Sequence, residues 1–309
     1  MKLKTRVLLS LFLAALAAGH AQSASAQAGG WSRYTYPGEE FSVELPGMPT
    51  LSNASRGVNN DWRKEEKVRV FSHYSGGVVF FVVAYDNSHG SESPDFFATY
   101  LRGAWGLEPK GALTLAGFEG RSYAVVGAQR GRLSYNLRGE GRVFRTRRHA
   151  YLALAVSQEE ERPEVGRFLD SFTLGASPAG ERIAEEESVP RFVPPKTEPV
   201  PPAGAVWGPG RGGAGEPLAA GDRKAQIIYK PEPGYTEEAR QKGVSGRIIL
   251  RAALTPDGNV TDIEPVKWLP NGLTERAIRS ARQMRFFPAV KGGQPVSQYV
   301  TLEYNFNVY

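Results

Sequence analysis

Along residues 300–308, within a terminal strand predicted over 298–309, apolar and polar positions alternate without a break. Val300, Leu302, Tyr304, Phe306 and Val308 fall on one side; Thr301, Glu303, Asn305 and Asn307 fall on the other. That is the period of a strand with one face in a core and one in water. Residues 247–254 repeat it, with Ile248, Leu250, Ala252 and Leu254 on a common face. Leu273, Ala277, Ile278, Ala281 and Met284 recur at helical spacing and predict a helix reaching Arg285. A shorter helix comes first: Thr236 is a good N-cap, Glu237 and Glu238 suit the positive end of the dipole, Lys242 suits the negative end, and Gly243 ends it. Pro256-Asp257-Gly258 is a turn, because proline presets φ and glycine accepts a positive φ. The order short helix, strand, turn, strand, helix, strand predicts a small α+β domain over residues 223–309, with an antiparallel sheet and helices on one face.

Residues 31–175 show strand periods with a helix in the middle and one at the end. Residues 41–45 alternate and stop at Pro46-Gly47. Apolar runs over 68–74 and 78–85 flank Ser75-Gly76-Gly77, a hairpin signal. A helix is predicted over 94–105, with Phe97, Leu101 and Trp105 four residues apart. Further strands are predicted over 118–126, 133–146 and 150–157, the last two joined at Arg147-Arg148-His149. A closing helix over 163–171 puts Val165, Phe168 and Leu169 on one face. The pattern predicts an α+β fold, an antiparallel sheet covered by helices.

Two segments read differently. Residues 1–26 carry Lys2, Lys4 and Arg6, an apolar run over 7–18, and Ala24-Ser-Ala26, the layout of a cleaved signal peptide. Spanning a bilayer takes about twenty apolar residues, so the run is short for a retained anchor. Residues 176–222 contain repeated prolines, the glycines of 208–215 and Glu185-Glu186-Glu187. Such a composition buries too little apolar surface to fold alone, and predicts a disordered linker that lets the flanking parts move independently.

The final stretch closely resembles the TonB C-terminal domain family. The resemblance rests on Tyr235-Thr-Glu-Glu-Ala-Arg240, Gly243-Val-Ser-Gly246, Leu254-Thr-Pro-Asp-Gly258 with Val260-Thr-Asp262, Leu273 with Ala277, residues 282–286, Pro288-Ala289 and Gly293-Gln-Pro-Val296. It covers residues 225–309, and a proline-rich spacer before this domain is also a family habit. The family usually has proline where this chain has Thr236. Earlier, Tyr36-Pro-Gly-Glu-Glu-Phe-Ser-Val-Glu-Leu-Pro-Gly47 and Arg167-Phe-Leu-Asp-Ser-Phe172 are similar to PsbP-like exported domains, which are α/β/α sandwiches. That second resemblance implies a binding or scaffold domain over 31–175.

Composition narrows the chemistry. The chain has no cysteine, which excludes disulfides, thiolate metal sites and a lipid anchor on cysteine. Its net charge of +6 is uneven: residues 1–26 carry +3, 27–175 carry +1, 176–222 carry −3 and 223–309 carry +5. Without the leader only +3 remains, too little to point to nucleic acid. Arg142, Arg145, Arg147 and Arg148 form the densest basic cluster, read as a solvated hairpin end. Arg276, Arg279, Arg282 and Arg285 share a drifting stripe, read as the solvent face of the helix. His73, His89 and His149 are the histidines beyond the leader, and none has metal-site spacing; His149 is expected at the surface. Gly208-Pro-Gly-Arg-Gly-Gly213 fits G-x-G-x-x-G but lies in the linker, without the strand and helix that give the motif meaning. No catalytic residue, cofactor or metal site is expected.

These readings converge on an exported, periplasmic interaction protein. The TonB resemblance implies that the partner is a short periplasmic segment of an outer-membrane transporter, paired along the terminal strand. Carried onto this chain, the partner surface comprises Gly234, Tyr235 and Thr236 beside Gln298, Thr301, Glu303, Asn305 and Asn307. Two alternatives stand beside it. In one, the apolar start stays in the inner membrane and the chain is an energy transducer. In the other, the terminal strand closes a homodimer by edge pairing.

Overall fold

The computed structural model describes residues 30–58, 61–86, 106–130, 133–175, 181–182, 189–193 and 221–307. The leader predicted over 1–26, the helix predicted over 94–105 and most of the linker lie outside them. What is described is mostly β-sheet with few helices.

The first part runs β1 (Ser32–Thr35), β2 (Phe41–Leu45), β3 (Thr50–Val58), β4 (Asp61–Ser75), β5 (Val78–Asp86), β6 (Leu107–Leu115), β7 (Phe118–Val125), β8 (Ala128–Arg130), β9 (Leu133–Tyr135), β10 (Arg138–Arg145), β11 (His149–Ser157), α1 (Pro163–Ser171), β12 (Thr173–Leu174) and β13 (Glu181–Arg182). Seven of these strands form one antiparallel sheet in the order β3-β4-β5-β11-β10-β7-β6. The β4–β5 hairpin closes with Ser75 opposite Val78, and Gly76 and Gly77 both have positive φ, as a two-residue turn of this kind requires. A smaller sheet, β12-β2-β1-β13, joins α1 on one side of it. Between them lies a core of Phe41, Val43, Phe71, Phe80, Tyr151, Phe168 and Phe172, among others.

β5 sits near the middle of the large sheet and is buried on both faces. Val78, Phe80, Val82 and Ala84 face that first core; Val79, Phe81, Val83 and Tyr85 face a second. The uninterrupted apolar run over 78–85 is the signature of a strand covered on both sides. Part of the second cover comes from far along the chain: Phe287 is 3% exposed within this second core, with Ile228 and Tyr229 against it.

Those covering residues belong to the C-terminal part: β14 (Gln226–Tyr229), α2 (Glu237–Gln241), β15 (Gly246–Leu254), β16 (Val260–Lys267), α3 (Leu273–Arg282), β17 (Arg285–Phe287), β18 (Ala289–Lys291), β19 (Gln294–Val296) and β20 (Gln298–Phe306). The predicted order holds, with β14 and the short strands β17, β18 and β19 added. A third core gathers Ile248, Leu250, Ala252, Leu254, Leu273, Ala277, Ile278, Ala281, Met284, Leu302, Tyr304 and Phe306. These are the positions that the strand and helix periods single out. The helix stops at Arg282, however, three residues short of its predicted end. Arg285 leaves the arginine stripe, enters β17 and is buried, while Arg276 and Arg282 stay exposed.

Trp31–Tyr309 form one compact unit. The linker composition predicts independent parts; the structure packs them together. Gln283 Nε2 donates to Leu51 O (2.8 Å), Arg285 Nη2 donates to Ser72 O (3.0 Å) and to Thr50 Oγ1, and Tyr229 Oη lies 2.7 Å from Ser52 Oγ. Tyr229 meets Phe81 edge-on (5.8 Å), and Phe287 meets Tyr74 (6.3 Å). Two pieces of the predicted linker are also placed. Glu181–Arg182 pairs parallel with β1, and residues 189–193 lie against the C-terminal part.

Candidate functional site

The C-terminal sheet has the order β16-β15-β20, so β15 is its centre and β20 an edge. β15 and β20 pair over their whole lengths, from Gly246 opposite Phe306 to Leu254 opposite Gln298. Leu302, Tyr304 and Phe306 are buried beneath the sheet; burial pushes the Tyr304 hydroxyl up from its usual range, and it points at Met284 Sδ (3.9 Å). Tyr299, Thr301, Glu303 and Asn305 occupy the other face. Tyr299 is 56% exposed, under the Arg251 guanidinium (4.6 Å) and with its hydroxyl 3.3 Å from Asp262 Oδ2. Glu303 pairs with Arg247 at 3.4 Å.

One contact identifies which backbone groups face out. Lys230 Nζ donates to the carbonyl of Glu303 (2.6 Å) and lies 4.2 Å from the centre of the Tyr304 ring. In an antiparallel strand the N–H and C=O of one residue leave on the same edge, and the edge alternates along the chain. Glu303, Thr301 and Asn305 therefore present their amides and carbonyls outward, while Leu302, Tyr304 and Phe306 bond to β15. Among the described residues no strand covers that outer edge.

The residues singled out by sequence are partly brought together. The Tyr235 ring meets Phe306 edge-on (5.3 Å), and its hydroxyl donates to Val244 O (3.2 Å), which sets Gly234, Tyr235 and Thr236 beside the end of β20. Thr236 is occupied within the module. Its hydroxyl accepts from Ala239 N–H (3.1 Å), as an N-cap should, and donates to Asn271 O (2.6 Å). Gln298 is likewise engaged, its Oε1 accepting from Ala225 N–H (2.8 Å). Asn305 and Asn307 are exposed and Thr301 is half-buried. Lys230 was not legible as a member of the site. It lies 73 residues from Glu303, just before the motif-bearing stretch, and no local pattern joins the two.

A second polar group lies in the first part. Tyr151 Oη donates to Glu39 Oε2 (2.9 Å) and lies 3.0 Å from His149 Nδ1, which is 3.1 Å from Glu40 Oε2. Arg69 joins Glu39 to Asp86, the latter at 2.7 Å. His149, expected at the surface, is only 9% exposed, because Glu40 and Thr146 close over it. Arg69 bridges two of the carboxylates, and the hydrogen bonds through Tyr151 and His149 tie the start of β2 to β11. Among the described residues no three His, Cys, Asp or Glu are grouped to hold a metal ion. The arginines of the β10–β11 end divide: Arg142 pairs with Asp170 (2.8 Å), while Arg147 and Arg148 are exposed.

An open-edged antiparallel sheet with a helix packed beneath it defines a small α+β module. Residues 231–308 match the family described as Gram-negative bacterial TonB protein C-terminal. The chain is similar to protein TonB of Pseudomonas aeruginosa, 29% identical over 100 residues, which cover 32% of this chain and 29% of that relative. The chain thus spans less than a third of the relative's length. A solved structure, the solution NMR structure of the Pseudomonas aeruginosa TonB CTD, is 27% identical with a TM-score of 0.25, covering 28% of this chain and 90% of that one.

Proposed function

We propose that this is a protein-binding component of the Gram-negative envelope, linked to outer-membrane transport, whose C-terminal module takes up an extended partner segment along β20. The observation that carries this reading is the outward row of Thr301, Glu303 and Asn305 backbone groups on an edge strand of the family-matched module. Such an edge is a template for strand addition: main-chain hydrogen bonds give affinity and alternate side chains give register. The partner surface is Thr301, Glu303, Asn305 and Asn307, with Gly234 and Tyr235 at one end and Gln298 at the other. The seven-stranded sheet acts as its scaffold, the role implied by the PsbP-like resemblance of residues 31–175. No reaction is assigned to the chain. The mature protein belongs in the periplasm, with residues 1–26 removed; a mass spectrum of exported protein retaining them would favour an inner-membrane transducer instead.

Proline substitutions test the edge. Proline removes one amide donor, which an outward position tolerates and an inward one does not. Asn305→Pro should leave the thermal melt nearly unchanged and weaken partner binding by roughly 1–3 kcal/mol, the net worth of one or two hydrogen bonds. Tyr304→Pro breaks a ladder bond to β15 and removes a ring buried in the module core, and should unfold the module. Binding of envelope proteins that survives Asn305→Pro at full strength would end the strand-addition reading.

A further inference from the structure

The groove beside Trp268 takes one of its walls from a distant stretch of the same chain. It is about 810 Å³ in volume and is walled by Thr236, Glu238, Trp268, Leu269, Pro270 and Glu275 on the module side. On the other side lie Val189, Arg191 and Phe192, from the segment whose composition predicts no structure. Three contacts hold these residues. Val189 packs against the module core; the Phe192 ring meets Trp268 at 5.8 Å; and Phe192 N–H donates to Glu275 Oε1 (2.9 Å).

The sequence of the segment suits such a seat. Pro190 and Pro194 push Val189 and Val193 towards extended backbone, so little freedom is lost on docking. An extended proline-type helix repeats every three residues, which puts Val189 and Phe192 on one face. Those two are half-buried, while Pro190, Arg191 and Val193 are exposed. Aromatic-lined grooves that take proline-bearing, preformed segments are a recurrent mode of recognition.

We propose that the Trp268 face of this groove is a peptide-docking site for an apolar-Pro-basic-aromatic segment, and that residues 189–193 dock on it in cis as an exchangeable strap. It is separate from the β20 edge, although Thr236 stands between the two. Tethering supplies an effective concentration of roughly millimolar, so a weak intrinsic fit still keeps the strap docked. A free peptide of the same chemistry competes against that figure.

The test uses the full chain and the peptide Ser-Val-Pro-Arg-Phe-Val-Pro, which copies residues 188–194. Amide exchange at residue 192 should be about tenfold or more slower than the unstructured rate, and should return to it in Phe192→Ala and in Trp268→Ala. Protection of β15 amides checks that each variant is folded. Phe192→Ala changes only the strap, so it keeps the test valid if Trp268→Ala unfolds. The free peptide should bind the Phe192→Ala chain about tenfold more tightly than the unaltered chain, and a peptide with alanine for phenylalanine should bind neither. Unprotected exchange at Phe192 in the unaltered chain, or equal peptide affinity for chain and variant, would overturn the proposal. Neither readout involves β20, so either proposal can fail alone.

Discussion

β5 and β20 are both nine residues long and both hydrogen-bonded to a central partner, yet they differ in what surrounds them. β5 lies between β4 and β11 with a core on each face; β20 has one neighbour, one core face, one wet face and one open edge. The difference is written in the two patterns: an unbroken apolar run in one, strict alternation in the other. A strand buried on all sides has no surface left to offer, whereas β20 keeps its shape through Leu302, Tyr304 and Phe306 with its other face and edge uncovered among the described residues. Under the proposed function, stability and binding fall to different strands.

Three measurements break or sharpen that contrast. The largest effect is expected from Phe81→Ala in β5, which opens the second core and removes the ring against Tyr229; it should cost about 3–5 kcal/mol in chemical denaturation. Thr301→Ala, on the wet face of β20, should stay within about 0.5 kcal/mol. Next comes Gly258→Ala. Gly258 has φ +82°, and a Cβ there would lie 2.1 Å from Cδ1 of Tyr74, across the junction between the two parts. The left-handed backbone alone costs roughly 1–2 kcal/mol, and the ring must also move. Adding Tyr74→Ala should make the double variant less unstable than the sum of the singles, a coupling that vanishes if the parts do not touch in solution.

The third effect is a pH limb. Burial, and behind it the Arg285 guanidinium, lowers the His73 imidazole from 6.5 to about 4. Above pH 6.5 both folded and unfolded chains hold it neutral, and it contributes nothing. As pH falls from 6.5 towards 4, the unfolded chain takes up a proton that the folded one refuses, so stability drops and then levels off. For a half-buried ring about 2 kcal/mol is expected, against roughly 1.4 kcal/mol per unit of full shift. His73→Gln should flatten this limb. In Arg285→Met, the His73 titration followed by NMR should move up towards 6.5; an unchanged midpoint would mean that Arg285 does not sit beside it.

The C-terminal core was legible residue by residue, because its strand and helix periods are local. Arg285 was misplaced for a related reason. Arg276, Arg279 and Arg282 set a three-residue rhythm that Arg285 continues, and no glycine marks the helix end at Gln283. What settles Arg285 is Thr50 and Ser72, more than two hundred positions away, and no local rule contains them. His149 repeats the lesson: a hairpin-end position reads as exposed, and Glu40, 109 residues earlier, buries it. The run over 78–85 is predicted only as one arm of a hairpin, although its lack of alternation is the mark of a strand covered on both faces. It could not say that β14 and β17 supply part of the second cover.

That cover arrives late. Val79 and Phe81 are made some two hundred residues before Phe287, and a chain emerging from its N-terminus delivers them in that order. At about 5–20 residues per second the gap is on the order of ten to forty seconds, during which one side of the seven-stranded sheet lacks its last layer. The nascent protein is therefore stickiest midway through its own production. A holding chaperone would matter most in that interval, and a truncation before β14 should aggregate.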